Sequence, residues 1–348
     1  MDMFWFGVVS VMLAVYVVLD GFDFGAGIIH HLVAKTDEER RTVLAAIGPF
    51  WNGNEVWLLA GGGVLFLAFP RAYSAAFSGF YLPFMIVLWL LILRGIGIEF
   101  RSHNENPLWR EFWDGAFTVA SALLALVLGT ALGNVVRGVP LSATGFFAMP
   151  LFTNFRTGPE PGVFDWYTLL VGLFALVLLA AHGALYLTWR TAGPVQVRSR
   201  IIAWRAWIIL VPIWILVSAA TAWLHWGLFA NLLARPWTWV LVLLLAAGLV
   251  GVFRFQCQGR ERNAFLSSCI FIAGILAATM AGNYPNLLRS SLDPTNSLTA
   301  TNAAAGPFSL QVGMVWWAIG IMMAVGYFAY LFWSFSGKQG PEPAGKGS

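Results

Sequence analysis

The run GPFWNGNEVWLLAGGG, residues 48–63, decides how this chain is read. It lies within an apolar segment, yet it holds Asn52, Asn54 and Glu55 between Trp51 and Trp57. Lipid-facing helices do not carry such a set. A carboxylate at membrane depth is costly, so it faces a bundle interior and marks an ion, proton or substrate path. Residues 48–63 therefore read as part of the inner wall of a helix bundle.

Composition supports a membrane setting. The 348 residues are 59% apolar and 10% charged, against about 25% charged in soluble domains, and the mean hydropathy is +0.74. The net charge of +4 is read as the Lys/Arg excess of cytoplasmic loops, not as a nucleic-acid surface. Cys257 and Cys269 have no haem-attachment or zinc spacing around them. Both are read as ordinary apolar-tolerant residues.

Working outward, apolar runs predict about nine transmembrane helices, over 5–29, 48–69, 78–98, 115–135, 164–188, 206–226, 236–256, 264–283 and 312–333. The fold class is an all-α polytopic membrane protein. The first run lacks the basic flank and cleavage site of a signal peptide, so it is expected to stay as a span. Loops after odd-numbered spans, with the tail, hold 14 Lys and Arg, whereas loops after even-numbered spans hold 5. That asymmetry places the N-terminus outside and the C-terminus in the cytoplasm. It also supports 48–69 as a span, because removing it would move every later loop to the other side. The organisation expected is a first four-helix bundle (1–137), an external loop (138–163), a second bundle (164–283), a second external loop (284–311), a ninth helix (312–333) and a disordered Gly/Pro/Lys-rich tail (334–348).

Polar residues gather at one depth. Asp20 and Asp23 are spaced i, i+3 on the first span, as are Asn52 and Glu55 on the second, so each pair shares a helix face. Arg94 lies inside the third span, with Glu99 and Arg101 at its exit. Counting rise along each helix puts Asp23 about 9 Å, Glu55 about 10 Å and Arg94 about 6 Å from the basic end. Three carboxylates against one guanidinium would leave two uncompensated negative charges, so the group is expected to share protons and to titrate as a unit. The plainer reading is a packing salt bridge with Arg94 on one aspartate. Trp51, Asn54 and Trp57 are expected to pack around the group. The glycines at 21, 25, 27, 61–63, 95 and 97 are read as sites of close helix approach.

Of the five histidines, only His182 is expected to be well buried; His30, His31, His103 and His225 fall at span ends or in a loop. Two axial ligands at matching depth are not available. The chain is expected to bind no haem and no metal by itself. The second half is nearly free of charge at membrane depth and reads as scaffold, interface or a groove for a lipid or quinone tail.

The motifs LDGFDFGAG (19–27), GPFWNGNEVWLLAGG (48–62), FPRAYSAAFSGFY (69–81) and RGIGIEFR (94–101) resemble subunit II of cytochrome bd-type ubiquinol oxidases, most specifically over residues 5–137. The resemblance implies two four-helix bundles plus a peripheral helix, and a larger partner, subunit I, carrying two haems b and haem d or an equivalent. It implies quinol oxidation and oxygen reduction to water with cytoplasmic protons, in a bacterial inner membrane. Small single-span subunits and a structural quinone occur within what it allows. It also implies a proton route at the aspartate of a W-D-G-N-Q/E-V-W pattern. Here that position is Asn52, an amide that cannot ionise, and Glu55 is the candidate replacement. Asp20 and Asp23 match the D-G-F-D element directly. Two other readings remain: a structural anchor without proton transfer, and a secondary transporter, which would repeat its polar residues in both halves.

Overall fold

The computed structural model describes residues 1–340. Eight helices among them are long and apolar enough to cross a membrane: α1 (Asp2–Val33), α5 (Tyr81–Phe100), α6 (Pro107–Arg137), α7 (Trp166–Arg190), α8 (Gly193–Leu224), α10 (Thr238–Cys257), α11 (Glu261–Asn283) and α12 (Pro307–Ser334). The run that opened the sequence reading forms α3 (Trp51–Ala68). It is not among the eight, because its first turn and a half is polar. At 18 residues it is about 27 Å long, and it lies antiparallel to α1. Its Asn54 side chain bonds the Leu19 carbonyl at 3.2 Å, and a Cβ at Gly61 would meet Leu13.

Three further helices were not expected. The chain leaves α1 and turns at Thr36, whose hydroxyl accepts from the Glu39 amide while Glu39 accepts from the Thr36 amide. This reciprocal cap starts the amphipathic α2 (Asp37–Ile47). Glu39 also accepts from Arg198 of α8 at 2.7 Å, and that bond is the main reason its carboxyl is held below the usual range. Pro70 ends α3 at the preceding residue and opens the short α4 (Pro70–Gly79). The third, α9 (Trp226–Ala234), follows α8.

In the packing, α1 is central and touches α3, α6, α7 and α11. One group comprises α1, α3, α5 and α6; another comprises α7, α8, α10 and α11, and α12 packs on α3. The groups are joined most tightly at Gly25 and Gly183. A Cβ on Gly25 would lie 2.0 Å from the Leu179 carbonyl oxygen and 2.7 Å from the Gly183 Cα. The close-approach reading therefore holds for Gly25 and Gly27. It fails for Gly62 and Gly63, where an added Cβ would meet nothing within 4 Å among the described residues. Large apolar side chains cover the outer surface of α12, among them Phe308, Trp316 and Trp333, as expected for a helix bordered by lipid.

At the end of the molecule that holds the α1 N-terminus, the two long loops form one cap. Val139 and Arg289 pair through their backbones, Ser291 returns to Val139, and β1 (Asn286–Leu288) pairs with β2 (Leu298–Thr299). Arg137 pairs with Asp165, whose carboxylate also caps α7. Of the tail expected to be disordered, residues 341–348 lie outside the described residues. The preceding part departs from the expectation: Gln339 exchanges backbone bonds with Arg190 and Ala192, and Lys338 reaches Glu261 at 2.7 Å.

Placing a methyl group at Gly183 would force α1 and α7 apart. Gly183→Ala is expected to destabilise the purified protein by about 1–3 kcal/mol, seen as a lowered thermal midpoint, whereas Gly62→Ala should leave it unchanged.

Candidate polar site between helices

The D-G-F-D spacing presents Asp20 and Asp23 from α1 toward α3 and α5, and both are fully buried. Arg94 comes from α5, also fully buried, and its guanidinium is forked: Nη1 donates to Asp20 Oδ1 at 2.6 Å and Nη2 to Glu55 Oε1 at 2.5 Å. The face of the guanidinium lies 4.5 Å from the Phe24 ring centroid, a cation–π contact that replaces part of the lost hydration. Asp23 does not touch Arg94. It accepts from Asn54 Nδ2 at 2.7 Å. Glu55 is the one carboxylate of the group that reaches the surface of the chain, with a quarter of its side chain exposed.

Asp20, Asp23, Glu55 and Arg94, expected at one depth, thus lie together between α1, α3 and α5. The salt bridge is bidentate across two helices rather than to one aspartate. Asn54, expected only to pack, is a donor in the group. Asn52 is exposed, because two residues along α3 turn it to the opposite side from Asn54. Trp57 is buried against Phe328 of α12, with ring centroids 5.7 Å apart. Trp51 lies over Gly95, where an added Cβ would be 3.5 Å from its ring. Several buried polar atoms have no hydrogen-bond partner among the described residues: Asp20 Oδ2, Asp23 Oδ1, Asn54 Oδ1 and the Tyr16 hydroxyl.

Glu99 and Arg101 do not join this group. Glu99 is exposed. Arg101 is buried in a second network at the α1 C-terminus, which the sequence reading missed. Its Nε donates to Asp114 Oδ1 at 2.6 Å and its Nη2 to Asp37 Oδ1 at 2.7 Å. Asp114 also takes His30 Nε2 at 2.9 Å and Arg40 Nη1 at 3.1 Å. Burial alone would raise the Asp37 carboxyl, but hydrogen bonding and charge from Arg101, with Arg41 and Arg110, bring it below the ordinary range. Asp114 immediately precedes the apolar run over 115–135 and is not among the residues singled out from the sequence. The available signal was that His30 and Asp114 end two neighbouring spans at one depth.

His182, the candidate axial ligand, has Nδ1 on Ser268 Oγ at 2.7 Å and Nε2 on the Val18 carbonyl at 3.0 Å. Both ring nitrogens are thus engaged by protein, and the position does not fit a haem iron. Among the described residues, no three His, Cys, Asp or Glu side chains converge in a metal-binding group.

Removing the guanidinium would leave Asp20 with an uncompensated buried charge. Arg94→Met is expected to cost about 3–5 kcal/mol, read by thermal unfolding in detergent. The triple change Arg94→Met, Asp20→Asn, Glu55→Gln should recover most of that loss; no recovery would mean that Arg94 acts by packing rather than charge.

The family described as cytochrome bd terminal oxidase subunit II matches residues 1–335. The chain is 30% identical to cytochrome bd-I ubiquinol oxidase subunit 2 of Escherichia coli (strain K12), covering 96% of this chain and 94% of that protein. It is 31% identical to cytochrome bd ubiquinol oxidase subunit 2 of Bacillus subtilis (strain 168), covering 88% of each. Its fold is similar to a chain in the structure of bd oxidase from Geobacillus thermodenitrificans, with a TM-score of 0.74 at 18% identity, over 96% of this chain and 98% of that one. With its motifs, its membrane helices and a match running from residue 1 to 335, the chain belongs to the cytochrome bd terminal oxidase subunit II family.

Proposed function

We propose that the chain serves as subunit II of a quinol:oxygen oxidoreductase in a bacterial inner membrane, and that its buried polar group handles protons drawn from the cytoplasm for oxygen reduction. The observation that carries the proton reading is one guanidinium shared by two carboxylates, with a third carboxylate on an amide beside them and orphaned polar oxygens around them. Such a group changes protonation by redistributing bonds already formed, because Arg94 can tighten on either carboxylate as the other is protonated. Glu55 is the member able to pass a proton outward, since it alone reaches the surface of the chain. The haems of the complex supply the electron path and the oxygen site. The family resemblance places them in the larger subunit I, two of type b and one of type d or an equivalent, and the engagement of both His182 ring nitrogens within this chain supports that reading.

We further read α3 as a ninth span, the N-terminus as external, and the two helix groups as four-helix bundles with α12 peripheral. In support, α3 follows α1 from Leu19 to beyond Leu13, and Arg40, Arg101, Arg110 and Arg198 are drawn together around Asp37, Glu39 and Asp114 at the end of α1 opposite its N-terminus. A groove of about 620 Å³ between α1, α3 and α12, lined by Trp5, Gly63, Leu67, Gly313 and Trp316, is apolar enough for a structural quinone tail. Small single-span subunits would have the exposed face of α12 as their simplest seat.

The anchor reading has its own support, because the two bonds of Arg94 would hold α1, α3 and α5 together without any proton movement. Glu55→Gln separates the two. In the assembled oxidase with an unchanged reduced-haem spectrum, proton handling predicts oxygen consumption slowed by roughly tenfold or more. Turnover at the unmodified rate would leave only the anchor.

A further inference from the structure

We propose that His30 and Ser121 form a proton-entry line inside this chain, between α1 and α6, from the network around Asp114 to Asp23. The inference rests on reading the Asp20–Asp23–Glu55 group as proton-handling. It uses neither Asn52 nor the surface of α3.

The line follows from two helix faces. Asp20, Asp23, Gly27 and His30 are spaced three, four and three residues apart, so they form one stripe of α1. Asp114, Thr118 and Ser121, spaced four and three apart, form one stripe of α6. Contacts show that the stripes face each other. His30 bonds Asp114, and a Cβ built on Gly27 would fall 2.1 Å from Ser121 Oγ. Glycine at 27 therefore lets the serine hydroxyl lie against the α1 backbone midway between His30 and Asp23. The rise from Gly27 is about 4.5 Å to His30 and about 6 Å to Asp23, so each leg takes one or two hydrogen bonds.

The same stripe collects orphaned polar atoms. Among the described residues His30 Nδ1, Thr118 Oγ1, Ser121 Oγ and Asp23 Oδ1 are all buried without a hydrogen-bond partner. Buried polar groups in folded proteins bond protein or ordered water, so each of these atoms is free to take a water-mediated hydrogen bond along the stripe. His30 and Ser121 are both fully buried, and the Phe117 ring packs edge-on against His30 at 5.5 Å, shielding it. At its outer end the path meets solvent, because Asp114 shares Arg40 with Glu111 and Arg101 with Asp37, and both of those carboxylates are exposed.

Chemically, the imidazole works as a two-ended relay. At rest the ring donates Nε2–H to Asp114; in the Nδ1–H tautomer Nε2 is free to take a proton delivered at Asp114, and the imidazolium so formed is held by that carboxylate. The Nδ1 proton then passes to the Ser121 hydroxyl and from there to the Asp23 carboxylate, with water bridging each leg because none of these atoms bonds another directly, and each bridging group gives up one proton as it takes one. One O–H bond forms at Asp23 and one breaks at the hydronium or water that supplied the proton. The ring resets by tautomer exchange, and no redox change occurs in this chain.

The test uses the complete oxidase with both subunits, carrying Ser121→Ala, His30→Gln or, as reference, Glu55→Gln. Proton uptake from the medium during a single turnover with oxygen is followed with a pH dye, and haem reduction by quinol is followed on the same sample. Ser121→Ala and His30→Gln are expected to slow proton uptake by roughly tenfold or more while the rate of haem reduction and the haem spectrum stay unchanged. A purely structural role would not divide the two readouts. Should His30→Gln lose assembly through Asp114, Ser121→Ala decides alone, since it removes only a hydroxyl. Wild-type uptake in Ser121→Ala overturns the entry line. If Glu55→Gln is slowed in that case, the polar group still handles protons and only the entry line falls; if Glu55→Gln is also unaffected, both fall.

Discussion

A guanidinium with no access to water must be bonded on more than one side, and this requirement organises the first helix group. Arg94 has three elements of support: Asp20 from α1, Glu55 from α3 and the Phe24 ring beneath it. None of these can be withdrawn cheaply, because a buried ion left alone costs several kcal/mol. The relative rotation of α1, α3 and α5 is thereby set by charge rather than by apolar packing, which in lipid discriminates poorly between helix faces. The polar first turns of α3, unfavourable for a helix facing lipid, become its means of docking.

The second constraint is backbone proximity. Gly25 and Gly183 bring α1 and α7 together closely enough that an added Cβ on either would overlap the other helix's backbone. The polar group on one side of α1 and this contact on the other leave the helix little freedom to turn. Consequently Asp20 and Asp23 face the first helix group while Gly21 and Gly25 face the second, although they alternate along only six residues.

The network at the α1 C-terminus gives the molecule a second polar layer. Asp114 gathers His30, Arg40 and Arg101, and Arg101 carries the connection to Asp37 on α2. An amphipathic helix that lies outside the bundle is thus tied to the ends of three helices within it. Residues 338–339 are tied at the same end through Arg190, Ala192 and Glu261. Ionic contacts dominate there because the segments meet at a wet boundary where apolar burial is limited.

From the sequence alone came eight long apolar helices, because twenty-residue apolar runs have few other uses, and the alignment of Asp20, Asp23, Glu55 and Arg94 along neighbouring helices, because helical rise is constant. The motifs likewise determined the family. What only tertiary structure decided was partnership. Rotation about α3 exposes Asn52 and buries Asn54, although both stand within one turn of Glu55. Helix α2 escaped notice because its polar composition suits a loop as well as a surface helix. Asp114 escaped because a charge at a span end is ordinarily solvated, and its burial depends on His30 and Arg101, which lie 84 and 13 residues away. Spacing along one helix is a local property and can be read directly; which side chains share a proton or a charge depends on how separate helices turn toward one another.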